Sequence, residues 1–241
     1  MAKQDERPRH VQIAADLRAQ IMAGALAPGE KIPSTRVLMQ QYGASGTAVA
    51  NAVGILKAEG WLLGQQGKGV TVRNTQMVIV DVGAYFEPTR GGYSYKLLKV
   101  EECDPQRDVA DMLGLQLGER AVLRQRLMLR GDIPVELCWS YYPASIAVGT
   151  ALAGRSKIRG GAPAVLAELG LPEREFTDCI SSRVPTPEEV EHLDIPDGVS
   201  VLEQFRVIYS DDDRPVEVSL IVKPGHLYKL KYRQAISEKN G

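Results

Sequence analysis

The chain has 241 residues, of which 44% are hydrophobic and 24% charged, with a formal net charge of −1 and three cysteines. That length exceeds the roughly 100–200 residues of one ordinary domain, so two domains are expected. Three irregularly spaced cysteines exclude a disulfide framework and a cysteine zinc site. No run of about 18 apolar residues is present for a membrane span, and Met1-Ala-Lys-Gln-Asp-Glu-Arg7 is too charged for a signal peptide. A cytoplasmic protein without metal or cofactor is expected.

In chain order, Ile13, Leu17 and Ile21 recur as one apolar stripe of a first helix, stopped by Gly24. A Pro/Gly loop leads to Ser34, a good N-cap for a short helix carrying Arg36, Val37, Leu38 and Tyr42 and ended by Gly43. Ser45 caps a third helix, in which Val49, Ala52, Val53 and Leu56 share a face before Gly60. The opposite face holds Gly46, Thr47, Ala50, Asn51, Gly54 and Lys57, small and weakly polar where a solvated helix usually carries Glu, Lys and Arg. Such a face is shaped for close approach to another molecule. Two β-rich runs, Trp61-Leu-Leu and Val70-Thr-Val72, then flank Gly64-Gln-Gln-Gly-Lys-Gly69, a glycine hairpin with one lysine at its tip.

Three helices and a hairpin over residues 1–72 read as a winged helix-turn-helix, whose function is reading DNA. The candidate contacts are Ser34, Arg36, Ser45, Thr47, Asn51, Gly67 and Lys68. Asn51 suits an adenine edge, Thr47 a thymine methyl or a phosphate, and Lys68 a phosphate. Charge supports the assignment. Residues 1–74 hold 9 Lys/Arg against 5 Asp/Glu, and the remainder 20 against 25, so the basic excess belongs to the reading head.

Residues 73–94, with Gly83, Pro88, Gly91 and Gly92, read as a hinge linker. Residues 95–241 repeat themselves. The string from Leu113 to Arg126 aligns with that from Leu193 to Arg206 at an offset of 80, and Ile133-Pro-Val-Glu136 aligns with Arg214-Pro-Val-Glu217 one residue later in register. Each half starts with a short helix, followed by two strands joined through Arg130-Gly-Asp132 or Asp211-Asp-Asp213. The expected architecture is α+β, an antiparallel sheet with pseudo-two-fold symmetry and helices on one side. Arg126, Glu136, Arg206 and Glu217 are repeat-equivalent charges within strands. They face solvent under simple alternation, or they converge in a cleft between the halves to hold a small anion or polyol effector. The basic loop Arg155–Gly161 is a weaker candidate lining for that cleft.

On Gln12-Ile-Ala, Gly24-Ala-Leu-Ala-Pro-Gly-Glu-Lys-Ile-Pro-Ser-Thr-Arg36, Leu56-Lys-Ala-Glu-Gly60 and Gly67-Lys-Gly69, residues 10–72 resemble the DNA-binding domain of the GntR superfamily of bacterial transcription regulators. The family usually has arginines at the positions of Gly46 and Ala50, so part of its base readout is missing here, while Arg36 is retained. On Val109-Ala-Asp-Met-Leu-Gly-Leu115, Ile133-Pro-Val-Glu136, Tyr141-Tyr-Pro143 and Arg214-Pro-Val-Glu217, the second half resembles the HutC-type effector (UTRA) domain, whose fold is shared with chorismate lyase. Members sensing phosphorylated amino sugars carry Arg, Glu and Tyr where this chain has Met128, Cys138 and Lys223, whereas Arg126 and Glu217 match. The pattern is similar to actinomycete members, among them plasmid-borne repressors of conjugal transfer.

The resemblance implies a homodimeric repressor on an inverted-repeat DNA operator, with a small-molecule effector as optional partner. A metabolite-responsive regulator of a catabolic operon remains open. So do a chorismate-lyase-type enzyme and a winged helix that binds protein. His10, His192 and His226 lie in separate segments away from any evident nucleophile, which weighs against the enzyme.

Overall fold

The protein is described from a computed structural model over residues 5–65, 69–73, 78–81 and 93–231. Gly67, Lys68 and most of the expected linker lie outside the described residues. The chain divides into two compact units. One comprises Met1–Val78 with Ile195–Ser200 and His226–Lys229, the other Ile79–Asp194 with Val201–Gly225 and Leu230–Gly241.

The first unit contains helices α1 (Arg9–Met22), α2 (Thr35–Tyr42) and α3 (Gly46–Ala58), then the hairpin β1 (Leu62–Gln65) and β2 (Gly69–Val72). Both expected serine caps form: Ser34 Oγ accepts from Val37 N at 3.4 Å and Ser45 Oγ from Ala48 N at 3.2 Å. Gly43, at φ 56°, takes the left-handed turn that lets α3 leave α2 at an angle. Ile13, Ala14 and Leu17 of α1, Leu38 of α2, Val49, Ala52 and Leu56 of α3, and Leu62 and Val72 of the hairpin form one core. Polar ties fix the helices around it. Arg18 forks onto Glu59 at 2.8 and 2.5 Å, and the Tyr42 hydroxyl donates to Asp16 at 2.5 Å. Lys31 bridges to Thr71, adding an edge contact to the wing.

The second unit is built on a six-stranded antiparallel sheet in the order β4-β5-β6-β9-β8-β7. Its strands are β4 (Tyr93–Cys103), β5 (Ala121–Arg130), β6 (Ile133–Pro143), β7 (Glu175–Arg183), β8 (Val201–Tyr209) and β9 (Pro215–Pro224). Short strands β3 (Val78–Asp81) and β10 (Tyr228–Lys231) complete the set among the described residues. Helix α4 (Arg107–Leu113) precedes the β5–β6 hairpin and α7 (Pro187–Leu193) precedes β8–β9. The halves meet where β6 pairs with β9, from Leu137↔Val222 to Tyr141↔Val218. The internal repeat is thus real, and its unit is larger than a helix and a hairpin, since each half opens with an additional edge strand.

The expectation of helices on one side is corrected. Helix α4 packs with Leu123, Tyr141, Val207 and Val218 on one face. The long β6-to-β7 connection carries α5 (Ala144–Ala147) and α6 (Gly161–Glu168) onto Val122, Tyr142 and Ile208. Neighbouring strand residues point to opposite faces, so these helices cover the other side of the sheet.

Candidate DNA interface and interior charge cluster

Helix α3 buries Val49, Ala52 and Leu56 and exposes Thr47, Ala50, Asn51, Gly54 and Lys57. These exposed positions fall at i, i+3, i+4, i+7 and i+10, one continuous stripe. The side chains of Thr47 and Asn51 make no hydrogen bond among the described residues, so the Thr47 hydroxyl is not spent on its own backbone. Gly54 sits in mid-helix, where glycine costs about 1 kcal/mol relative to alanine. A Cβ there would meet nothing within 4 Å, so packing inside the protein does not require the glycine. Lys57 closes the stripe with its ammonium against Gly64 of the wing; a Cβ at Gly64 would stand 2.8 Å from Nζ. Arg36 is exposed in the first turn of α2 without a partner among the described residues. Ser34 and Ser45 are also exposed. Their capping bonds use oxygen lone pairs, which leaves both hydroxyl protons able to donate to a phosphate.

In the second unit the four predicted charges lie on the sheet face opposite α4, and none is exposed. Arg126 Nη2 donates to Ser140 Oγ at 2.6 Å, the Ser140 and Ser219 hydroxyls are 2.7 Å apart, and Ser219 donates to Glu217 Oε1 at 2.5 Å. That relay crosses the β6–β9 seam and joins Arg126 to Glu217. Arg206, fully buried, forks onto Asp178 at 2.8 and 2.7 Å and stacks 3.9 Å over the Phe176 ring. Gln204 donates to Asp178 at 2.8 Å and accepts from Lys223 at 3.1 Å, and Lys223 pairs with Glu136 at 3.0 Å. Arg126 and Glu217 are therefore brought together, whereas Arg206 and Glu136 belong to a second network that also spans the seam, through the Lys223–Glu136 pair.

Arg124 explains the Arg155–Gly161 loop. Buried in β5, it donates to the carbonyls of Leu152 at 2.8 Å, Gly154 at 2.7 Å and Ser156 at 2.9 Å, holding the loop by its backbone. Arg155 itself lines a shallow cleft with Leu97–Glu101 of β4 rather than the charge cluster.

Burial, reinforced by the negative charge of Glu217, pushes the Glu173 carboxyl up to about 7 despite Arg206 and Arg126 nearby. Its Oε2 is buried without a donor among the described residues. The loop holds Glu173 in place from both sides: Ser210 Oγ donates to the Pro172 carbonyl at 2.8 Å, and Arg174 N donates to the Tyr209 carbonyl at 2.8 Å. Burial and Glu217 also raise the Tyr142 hydroxyl well above its ordinary value, so it stays protonated. The cluster thus combines fixed cations with a carboxyl that exchanges its proton near neutrality.

Arg124, Glu173 and Asp178 escape a reading of the sequence as motifs, and Lys223 stands out there only as a departure from the family pattern. The repeat offset carries the missing signal for Asp178: 80 residues separate Cys103, which ends β4, from Arg183, which ends β7. Extending the alignment upstream predicts both edge strands.

Comparison with known proteins places these two units. Residues 9–72 match the family described as bacterial regulatory proteins, gntR family, and residues 89–229 match the UTRA domain. The chain is 29% identical to the HTH-type transcriptional regulator Rv0792c of Mycobacterium tuberculosis, covering 88% of this chain and 80% of that protein. It is 28% identical to the HTH-type transcriptional repressor NagR of Bacillus subtilis, over 60% of this chain and 62% of that one. A crystal structure of a GntR-family transcriptional regulator superposes with a TM-score of 0.67 at 24% identity, covering 96% of this chain and 99% of that one. PhnF from Mycobacterium smegmatis gives 0.58 at 19% identity, over 93% and 100%. With a winged helix-turn-helix before a duplicated antiparallel sheet, the chain belongs to the UTRA-domain family and carries a gntR-family segment at residues 9–72, and it is a DNA-binding transcription regulator.

Proposed function

We propose that the protein is a cytoplasmic homodimeric repressor that binds an inverted-repeat operator and releases it when a small effector enters the interior charge cluster. Residues 1–72 form the reading head, 73–94 the linker and 95–241 the sensing and dimerising domain. The observation that carries the reading is the exposed stripe of α3, polar and small, with no use for Thr47, Asn51 or Gly54 inside the protein. Arg36, Lys57 and Lys68 supply phosphate contacts beside it, and Ser34, Ser45 and Gly67 let the backbone come close. One such head reads only a few base pairs, whereas useful specificity needs about 4–10 kcal/mol over background, which calls for two heads on a symmetric site.

The effector site is the Arg126–Ser140–Ser219–Glu217 relay with Glu173 beside it. A ligand that brings hydrogen-bond donors meets the Glu173 oxygen and biases the arrangement of the two halves only insofar as it binds one arrangement better. Arg206 and Glu136 hold the second network in place. Whether the regulated genes serve plasmid transfer or a catabolic operon is decided by where the operator lies. Selection of bound duplexes from a random DNA pool tests the reading. An enriched inverted repeat with fixed spacing is expected, and a pool that stays random overturns it.

A further inference from the structure

The exposed stripe of α3 contains no arginine, and three of its members are unexplained by the fold. Asn51 and Thr47 stand exposed, and their side chains make no hydrogen bond among the described residues. Gly54 lies one turn beyond Ala50 and Asn51 on the same face, at a helical backbone angle, with open space where its Cβ would be. A mid-helix glycine and a mid-helix asparagine both work against helix formation. Neither is compensated among the described residues, so the compensation lies in what the helix meets.

Resting on the DNA-binding reading, we propose that α3 specifies an A·T pair through Asn51, and that Gly54 lets the helix backbone approach the groove to a distance that any side chain at that position would prevent. Asparagine presents one donor and one acceptor, the pattern that matches adenine N7 and N6 in the major groove and mismatches guanine, whose N7 and O6 both accept. Thr47 and Ala50 flank it with methyl groups suited to a thymine methyl. Guanine is read best by arginine or lysine, and the stripe offers only Lys57 at its far end, lying against the wing. An asparagine is shorter than an arginine, so the contact requires the helix to sit deep. Gly54 provides that depth.

The test repeats the random-pool selection with N51A and G54A beside the wild-type chain, and measures affinity and melting temperature for each. Wild type is expected to fix an adenine at one position of each half-site. N51A should lose the preference at that position alone, with affinity down about 10-fold or more. G54A should keep the motif, melt no lower than wild type, and bind at least about 10-fold more weakly. A purely structural glycine would give the opposite, lower melting with affinity falling in step. The inference is overturned by an N51A motif identical to wild type, by a guanine at the position Asn51 controls, or by G54A binding as wild type does. In those outcomes an enriched inverted repeat still upholds the regulator. A wild-type pool without any motif overturns both.

Discussion

Asp178 and Arg206 form a buried, bidentate pair with both side chains at 7% exposure or less. Removing one partner breaks a buried pair, which typically costs about 3–5 kcal/mol. D178A is expected to lower the unfolding free energy of the second unit by that order, read as a lower urea midpoint, and an unchanged midpoint would show that the pair does not hold β7 to β8. Glu173 behaves differently, because its raised pKa means that the folded state binds a proton the unfolded chain releases. Its stabilising contribution is complete below about 4.5, the ordinary carboxyl value, and is lost as pH rises through about 7. E173Q should therefore flatten the fall in melting temperature between pH 5 and 8, with a gain on the order of 1–2 kcal/mol at pH 8 once solvent screening of this partly exposed group is allowed for. Identical pH profiles for E173Q and wild type would contradict the burial of that carboxyl. Neither residue announces itself in the sequence. Each acquires its role from strand pairing and from a loop fixed at Pro172 and Arg174.

Elements were more legible than single interior residues, for a physical reason. A cap, a glycine turn and a 3.6-residue stripe are local, so Ser34, Gly43, Ser45 and the Val49–Ala52–Leu56 face could be read directly. Replacing the α3 cap, S45A, should destabilise the first unit by about 1 kcal/mol and weaken DNA binding by a similar factor, since it frays the N-terminal turn that carries Thr47. Thermal melting and a gel shift would check both, and loss of binding without loss of stability would make Ser45 a direct contact. The edge strands β4 and β7 are hard to read from sequence because each pairs on one side only and its burial alternates over the first half alone, so the period-2 signal is short. The helices over the second face leave no repeat signal, because the β6–β7 connection that carries them has no counterpart in the second half.

For the whole molecule, duplication determined what could be inferred. The repeat offset of 80 to 81 residues points to the symmetric sheet and to two equivalent pairs of charges, Arg126/Arg206 and Glu136/Glu217, but equivalence in sequence does not mean equivalence in role. The repeat partner of Tyr142, protonated beside Glu217, is Lys223, paired with Glu136. One half thus holds a hydroxyl where the other holds an ion pair, and the two charge networks have diverged. The reading head follows another logic, in which the net positive charge of the first 74 positions comes from their scarcity of acidic residues, 5 Asp/Glu against 25 in the remainder.

The central claim, that a symmetric pair of these heads reads DNA, is tested most directly by measuring the affinity for the selected duplex across salt concentrations. Three phosphate-contacting cations per chain, Arg36, Lys57 and Lys68, give six in a dimer and a log–log slope of about −5. The expected result is two chains per duplex with that slope, reduced by about one for each Lys68 removed. One chain per duplex, or an affinity that scarcely changes with salt, would contradict the claim and leave a winged helix whose partner is a protein.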